Sequence, residues 1–207
     1  MEGQNKVNIF ENISLAKYTK EGTEIDITIK KYNEYVASKN KELIAEFIYE
    51  RLYTRYLKPF DYDCPIYKKD YKNGFSIMAN CCLLIETLES FKNGWEDTDK
   101  KSNSVFISFF KSESNFKEFA KISNEFYKNV RCGILHQGET TLGYRITREG
   151  TRLYDSETKT IDAFLFAEQM KVSLENYKNA LVEKEWDSEE WDNFRVKMRR
   201  IIENCKS

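Results

Sequence analysis

The sequence predicts a mainly all-α fold, and three observations carry that expectation. Of its 207 residues only two are proline and eight glycine, with 41% hydrophobic and 32% charged, the balance of a soluble helical chain. From about Ser38 onward, apolar residues recur at helical spacing through most of the sequence. Helix punctuation, at Pro59, Asn93-Gly94, Gly138, Asp162 and Asp187, falls between those stretches. A chain of this length can hold one domain with a substantial core and short decorations.

Residues 1–37 read as an N-terminal extension with short strands, and residues 38–207 as the helical domain. In the extension Val7, Ile9, Ile13 and Leu15 choose no period, whereas Ile25, Ile27 and Ile29 alternate as a strand does. The first helix runs from about Ser38, with Leu43, Ile44, Phe47, Ile48, Leu52 and Tyr56 as its stripe, until Pro59 prevents continuation. Asp61 to Gly74 is a loop. The next helix, about Ser76 to Phe91, carries Ile77, Met78, Cys81, Leu84, Ile85, Leu88 and Phe91, apolar enough to be the central one, and Asn93-Gly94 ends it.

After a polar stretch from Asp97 to Ser104, Val105, Phe106, Ile107, Phe109 and Phe110 start a short apolar helix. A long amphipathic helix follows, its stripe formed by Phe116, Phe119, Ile122, Phe126, Val130 and Ile134, with Gly138 placed as the left-handed residue that closes it. Leu142, Tyr144 and Ile146 alternate, Glu149-Gly150 is a turn signal and Leu153-Tyr154 resumes, so a small β-hairpin is expected near 141–155. Asp162 caps a helix bearing Phe164, Leu165, Met170, Leu174, Tyr177 and Leu181. A last helix begins at the capping pattern Asp187-x-x-Glu190 and continues through Trp191, Phe194, Met198, Ile201 and Ile202.

Charge and cysteine usage narrow the function classes. Lys and Arg number 33 against 34 Asp and Glu, so no global field attracts nucleic acid or anionic lipid, and any polyanion site is a local patch. No apolar run reaches bilayer length and the N-terminus has no signal-peptide core, which places the chain in the cytoplasm with no membrane partner. Cys64, Cys81, Cys82, Cys132 and Cys205 lack C-x-x-C spacing and read as buried free thiols. With one histidine in the chain, a four-ligand zinc site is not expected, nor is any other metal or cofactor.

That histidine, His136, lies five residues after Arg131 in Val130-Arg131-Cys132-Gly133-Ile134-Leu135-His136-Gln137-Gly138, in the last turn of the amphipathic helix. Residues five apart on a helix are separated by about 140°, so the two side chains do not stack as an i,i+4 pair does, yet they can border one cleft. The partial negative charge of a helix C-terminus favours an imidazolium there, and Arg131 offers a permanent fork of donors for phosphate oxygens. Lys121 and Lys128, on or near the same helix, are candidate RNA-binding residues that supply a local positive field. The plainer reading makes His136 a partner for terminal carbonyls of its own helix.

The segment from Phe126 to Glu139, with its R-x4-H spacing late in an all-helical core, resembles the HEPN superfamily, whose signature is R-x4-6-H near the end of a core helix. The resemblance covers about Ser38 to Glu183, and the motif is its specific part. It implies a HEPN-like helical bundle and a metal-independent endoribonuclease that works as a homodimer, with Arg131 and His136 as the catalytic pair in a cleft shared by both subunits. A toxin or phage-defence role, held in check by a cognate antitoxin or other regulatory protein, fits that class. The chemistry also favours a dimer: RNA cleavage by the 2′-hydroxyl needs one group to accept a proton and one to donate, so a single histidine serves if a two-fold axis supplies it twice, or if another group such as Lys128 or Glu139 takes the second role.

One position departs from the pattern. Cys132 stands where catalytic members often carry Asn, Asp or His, and a thiol is a weak hydrogen-bonding group. The alternative is therefore a non-catalytic HEPN-like module that binds nucleotides or partner proteins. Cys132 and His136 at i,i+4 also permit a thiol-imidazole dyad, which the helix C-terminus disfavours. The aromatic residues Tyr49, Tyr53, Tyr56, Phe106, Phe109 and Phe110 read as core rather than as a base-stacking platform. Arg195, Lys197, Arg199 and Arg200 on the last helix read as a solvated face.

Overall fold

Strands β1 (Ser14–Lys20) and β2 (Thr23–Thr28) open the chain as an antiparallel hairpin. Their two-residue turn is Glu21-Gly22, both at positive φ (51° and 77°), the geometry that matches the twist of paired strands. The alternation of Ile25 and Ile27 is thus a strand, but Ile29 already begins a helix. In this computed structural model residues 9–61, 70–98 and 101–206 are described. Cys64 and most of the loop expected over Asp61 to Gly74 lie outside them.

Helix α1 (Ile29–Ala37) starts at Thr28, whose side chain accepts from the Lys31 N–H at 3.3 Å, and α2 (Lys41–Tyr56) starts after Asn40, whose Oδ1 accepts from the Leu43 N–H at 3.0 Å. The expected start near Ser38 is therefore the junction of two helices. Leu43, placed in the core stripe from sequence, is 43% exposed, while Ile44, Phe47, Ile48 and Leu52 are buried. Helix α3 (Gly74–Asn93) buries every residue of its expected stripe, and Gly94 closes it at φ 62°. Helix α4 (Ser102–Ser112) follows.

The long amphipathic helix expected before His136 is four segments: a 3-10 stretch Ser114–Ile122, α5 (Ser123–Phe126), a π turn Tyr127–Arg131 and α6 (Cys132–Gln137). The hairpin expected near 141–155 is likewise corrected. Strand β3 (Arg145–Thr147) pairs in parallel with β5 (Thr160–Asp162), and β4 (Tyr154–Asp155) pairs antiparallel with β5, giving the order β3-β5-β4. The reversal lies after β4, where Asp155 accepts from the Glu157 N–H and the Thr158 hydroxyl, a side-chain-stabilised turn. Asp162 caps α7 (Ala163–Glu183), accepting from the Leu165 N–H at 3.0 Å. Helix α8 (Glu189–Glu203) begins after Ser188, one residue later than the Asp187 pattern indicates.

The chain divides into two compact units, 1–55 with 90–96 and 175–207, and 56–89 with 97–174. In the first, Phe91, Tyr177, Phe194 and Trp191 form a buried aromatic group. In the second, Phe110 contacts Phe106, Phe109, Phe116, Phe119, Phe126 and Phe166, all fully or almost fully buried. The fold is mainly helical, as expected, and the described residues form two small sheets, the second of them three-stranded rather than a hairpin. Among the described residues no helix is long and apolar enough to cross a membrane.

Candidate functional site

The site is built within the second unit from α3, the π turn and α6. In the π turn the Cys132 N–H bonds the Tyr127 carbonyl, adding a residue to the local repeat just where the chain reaches Arg131. Asn129, buried in that turn, accepts the Thr141 hydroxyl at 2.8 Å through Oδ1 and the Thr141 N–H at 3.0 Å through its carbonyl. The strand-bound chain after His136 is thereby tied back to the turn before it. Gly138 closes α6 at φ 71°, as its position indicates, and its N–H bonds the Ile134 carbonyl at 3.2 Å. Gly133 is needed for a different reason: the returning backbone at Glu139 and Thr140 occupies the space a Cβ there would fill.

Arg131 points across to α3. Its Nε donates to Glu86 Oε1 at 2.8 Å and Nη2 lies 2.8 Å from the same oxygen, with the side chains only 14% and 13% exposed. Thr98 donates to the other Glu86 oxygen at 3.3 Å. Burial works against the Arg131 cation, but Glu86 beside it outweighs this and holds the guanidinium pKa above its ordinary value. Its carbon lies 5.7 Å from the centre of the Tyr127 ring, one helical turn back.

The remaining fork of the guanidinium meets the imidazole: Arg131 Nη1 is 3.3 Å from His136 Nε2. Arginine has only donors, so this contact is a hydrogen bond when Nε2 accepts and the ring proton sits on Nδ1. The arginine side chain is long enough to span the helical angle that separates the two residues. His136 itself is exposed, so the pair is an anchored cation below and an accessible ring above. The imidazole contact is with the guanidinium.

Lys121 and Lys128 are both exposed, Lys121 in the 3-10 stretch and Lys128 in the π turn. Neither takes part in the Arg131–His136 contact. Cys81 and Cys82 are fully buried in α3, and burial pushes both thiols far up, which makes them inert core thiols. Cys132 and Cys205 are half-buried rather than buried. Among the described residues no group of three or more metal-ligating side chains is assembled.

Glu86 is the residue that sequence reading missed. Its signal was present: a carboxylate inside the most apolar helix of the chain, next to the core positions Ile85 and Leu88, demands a cationic partner once that helix is buried. Comparison of the chain with protein-family models, curated proteins and solved structures finds no match.

Proposed function

We propose that this chain is a metal-independent endoribonuclease of the HEPN type, acting as a toxin or phage-defence effector at a site shared by two copies, with Arg131 and His136 as the catalytic pair. The observation that carries this reading is the contact between an anchored, permanently charged guanidinium and the only imidazole of the chain. A scissile phosphate entering at the exposed side takes the Nη1 donor of Arg131, while Nε and Nη2 stay on Glu86. His136 Nε2, released from that contact, accepts the 2′-hydroxyl proton. The 2′-oxygen then bonds to phosphorus, the bond from phosphorus to the 5′-oxygen breaks, and the partner subunit's His136, protonated, supplies the proton to the leaving oxygen. The products are a 2′,3′-cyclic phosphate and a 5′-hydroxyl. Lys121 and Lys128 contact flanking phosphates in this reading, and a cognate antitoxin or regulatory protein holds the activity in check.

A second reading has its own observation. Glu86 takes two of the guanidinium's donors and cancels its charge, as a structural ion pair would, and Cys132 adds no orienting group. The chain would then be a non-catalytic HEPN-like module that binds a nucleotide or a partner protein. Incubation of the purified protein with mixed RNA in EDTA separates the two. Cleavage by the wild type that disappears in His136→Ala and Arg131→Ala is the outcome expected of the endoribonuclease. Cleavage that survives both substitutions removes the proposed mechanism, and absence of cleavage by a folded dimer favours the binding module.

A further inference from the structure

A groove in the first unit, away from Arg131 and His136 in sequence and built from other elements, lies between α1 and α8. It is an open groove of about 280 Å³, lined by Tyr32, Val36 and Ile202 together with the cations Arg195, Arg199 and Lys206. The volume suits a ligand of one or two rings. Arg195 and Arg199 are one helical turn apart on α8 and Lys206 follows on the chain just beyond it, so three cations line the groove with the single carboxylate of Glu203. Like charges at this spacing repel, in a chain whose net charge is -1.

The three cations are not equally engaged. Arg195 bonds the Trp186 carbonyl at 3.0 Å and Asp192 at 2.6 Å and lies over the Trp186 ring at 4.9 Å. Lys206 sits 5.5 Å from the Phe10 ring, a contact that supplies no counter-charge, and no carboxylate is paired with it among the described residues. The Arg199 guanidinium and the Asn33 side-chain amide, both lining the groove and exposed, find no hydrogen-bonding partner among the described residues. The groove thus combines an apolar floor, a fixed arginine and two cations with no paired carboxylate among the described residues.

We infer that this groove binds a small organic anion, a phosphate monoester or a carboxylate on a body of one or two rings, with the anionic head on Arg199 and Lys206 and the rings against Tyr32, Val36 and Ile202. Asn33 supplies a further hydrogen bond to the head or ring edge. Trp186, stacked on Arg195, reports occupancy. The inference does not depend on whether the Arg131–His136 pair cuts RNA.

Equilibrium dialysis of the full chain with adenosine 5′-monophosphate and with 2-naphthoate tests it, the two probes separating a phosphate from a carboxylate source of the anion. Adenosine lacks the head and inorganic phosphate lacks the body, so both serve as controls, and tryptophan fluorescence, with Trp186→Phe as the reference for the Trp186 contribution, is followed alongside. Saturable binding of at least one organic anion at one site per chain is expected. Because charge-assisted hydrogen bonds are lost, Arg199→Ala or Lys206→Ala should weaken it about tenfold or more, while Arg131→Ala leaves it unchanged. No saturable binding of either probe at millimolar concentration overturns the inference. So does inorganic phosphate binding as well as the organic anions, or binding that is indifferent to Arg199→Ala and Lys206→Ala or abolished by Arg131→Ala. Arg199 is exposed, and circular dichroism of each variant verifies that the fold is retained.

Discussion

Arg131 keeps a permanent charge in a position where its side chain is only 14% exposed, and Glu86, at 13%, balances it. Removing one member of such a pair leaves the other charged and mostly desolvated. Glu86→Ala should therefore cost about 3 kcal/mol, measured as a shift in the urea midpoint, and Glu86→Gln, which retains the shape and one acceptor, should cost less. If Glu86→Ala unfolds at the wild-type midpoint, the ion pair is not what holds the arginine. Gly133 makes a second residue-scale test, because a Cβ there meets the Glu139 carbonyl oxygen and the Thr140 backbone. The backbone on both sides of that contact is tied down by the Asn129–Thr141 bonds, so Gly133→Ala should lose about 1–3 kcal/mol by overpacking. At this scale the Arg131–His136 contact was legible because histidine occurs once, whereas Glu86 was not, since an acid in an apolar helix carries no label for its partner.

Elements were legible where one period ran unbroken. The α3 stripe from Ile77 to Phe91 is buried throughout, and the caps at Gly138 and Asp162 fall where their chemistry places them. The segment from Phe116 to Ile134 was read as one helix because its phenylalanines stay on one side. Its spacing nevertheless changes, three residues from Phe116 to Phe119 to Ile122 and four from there to Phe126, Val130 and Ile134. Three is the repeat of a 3-10 helix, and the break to four marks the switch of helix type. The β3–β5 pairing was out of reach, since alternation identifies a strand but not its partner. Deleting one residue of the π turn, for example the exposed Lys128, should restore α-helical register before Arg131 and turn the arginine away from Glu86. The expected result is a loss of stability at least as large as that of Glu86→Ala. A deletion variant as stable as the wild type would show the π turn to be incidental.

Acid sensitivity also belongs to elements, at Glu46 on α2. It accepts Lys20 from β1 and Lys178 from α7, each at 2.7 Å. Burial alone would raise its pKa, yet hydrogen bonds and charge from Lys178 and Lys20 outweigh this and hold the carboxyl below its ordinary 4.5. A lowered folded pKa means that the stabilisation is present above about the unfolded value and is lost as pH falls through the folded one. The urea midpoint of the wild type should lie above that of Glu46→Gln at neutral pH, and the two should converge in acid once the folded-state carboxyl is protonated. A gap that persists in acid contradicts this linkage.

For the whole molecule, the mainly helical class followed from composition and periodicity, because few glycines and prolines interrupt the apolar stripes. The function does not follow from the fold class, since a helical bundle hosts many chemistries. The proposed function rests on a single imidazole that acts twice, and therefore on a proposed pairing of two copies of the chain. Activity per chain should therefore fall as the protein is diluted through its dimer dissociation range, followed by sedimentation alongside cleavage, whereas a rate strictly proportional to concentration throughout would deny the shared site. The most direct measurement is of the RNA ends left after incubation in EDTA. Fragments ending in 2′,3′-cyclic phosphate and 5′-hydroxyl from the wild type, and none from His136→Ala, are the result this mechanism predicts. Intact RNA with a folded wild-type dimer, or the same ends from His136→Ala, would contradict it.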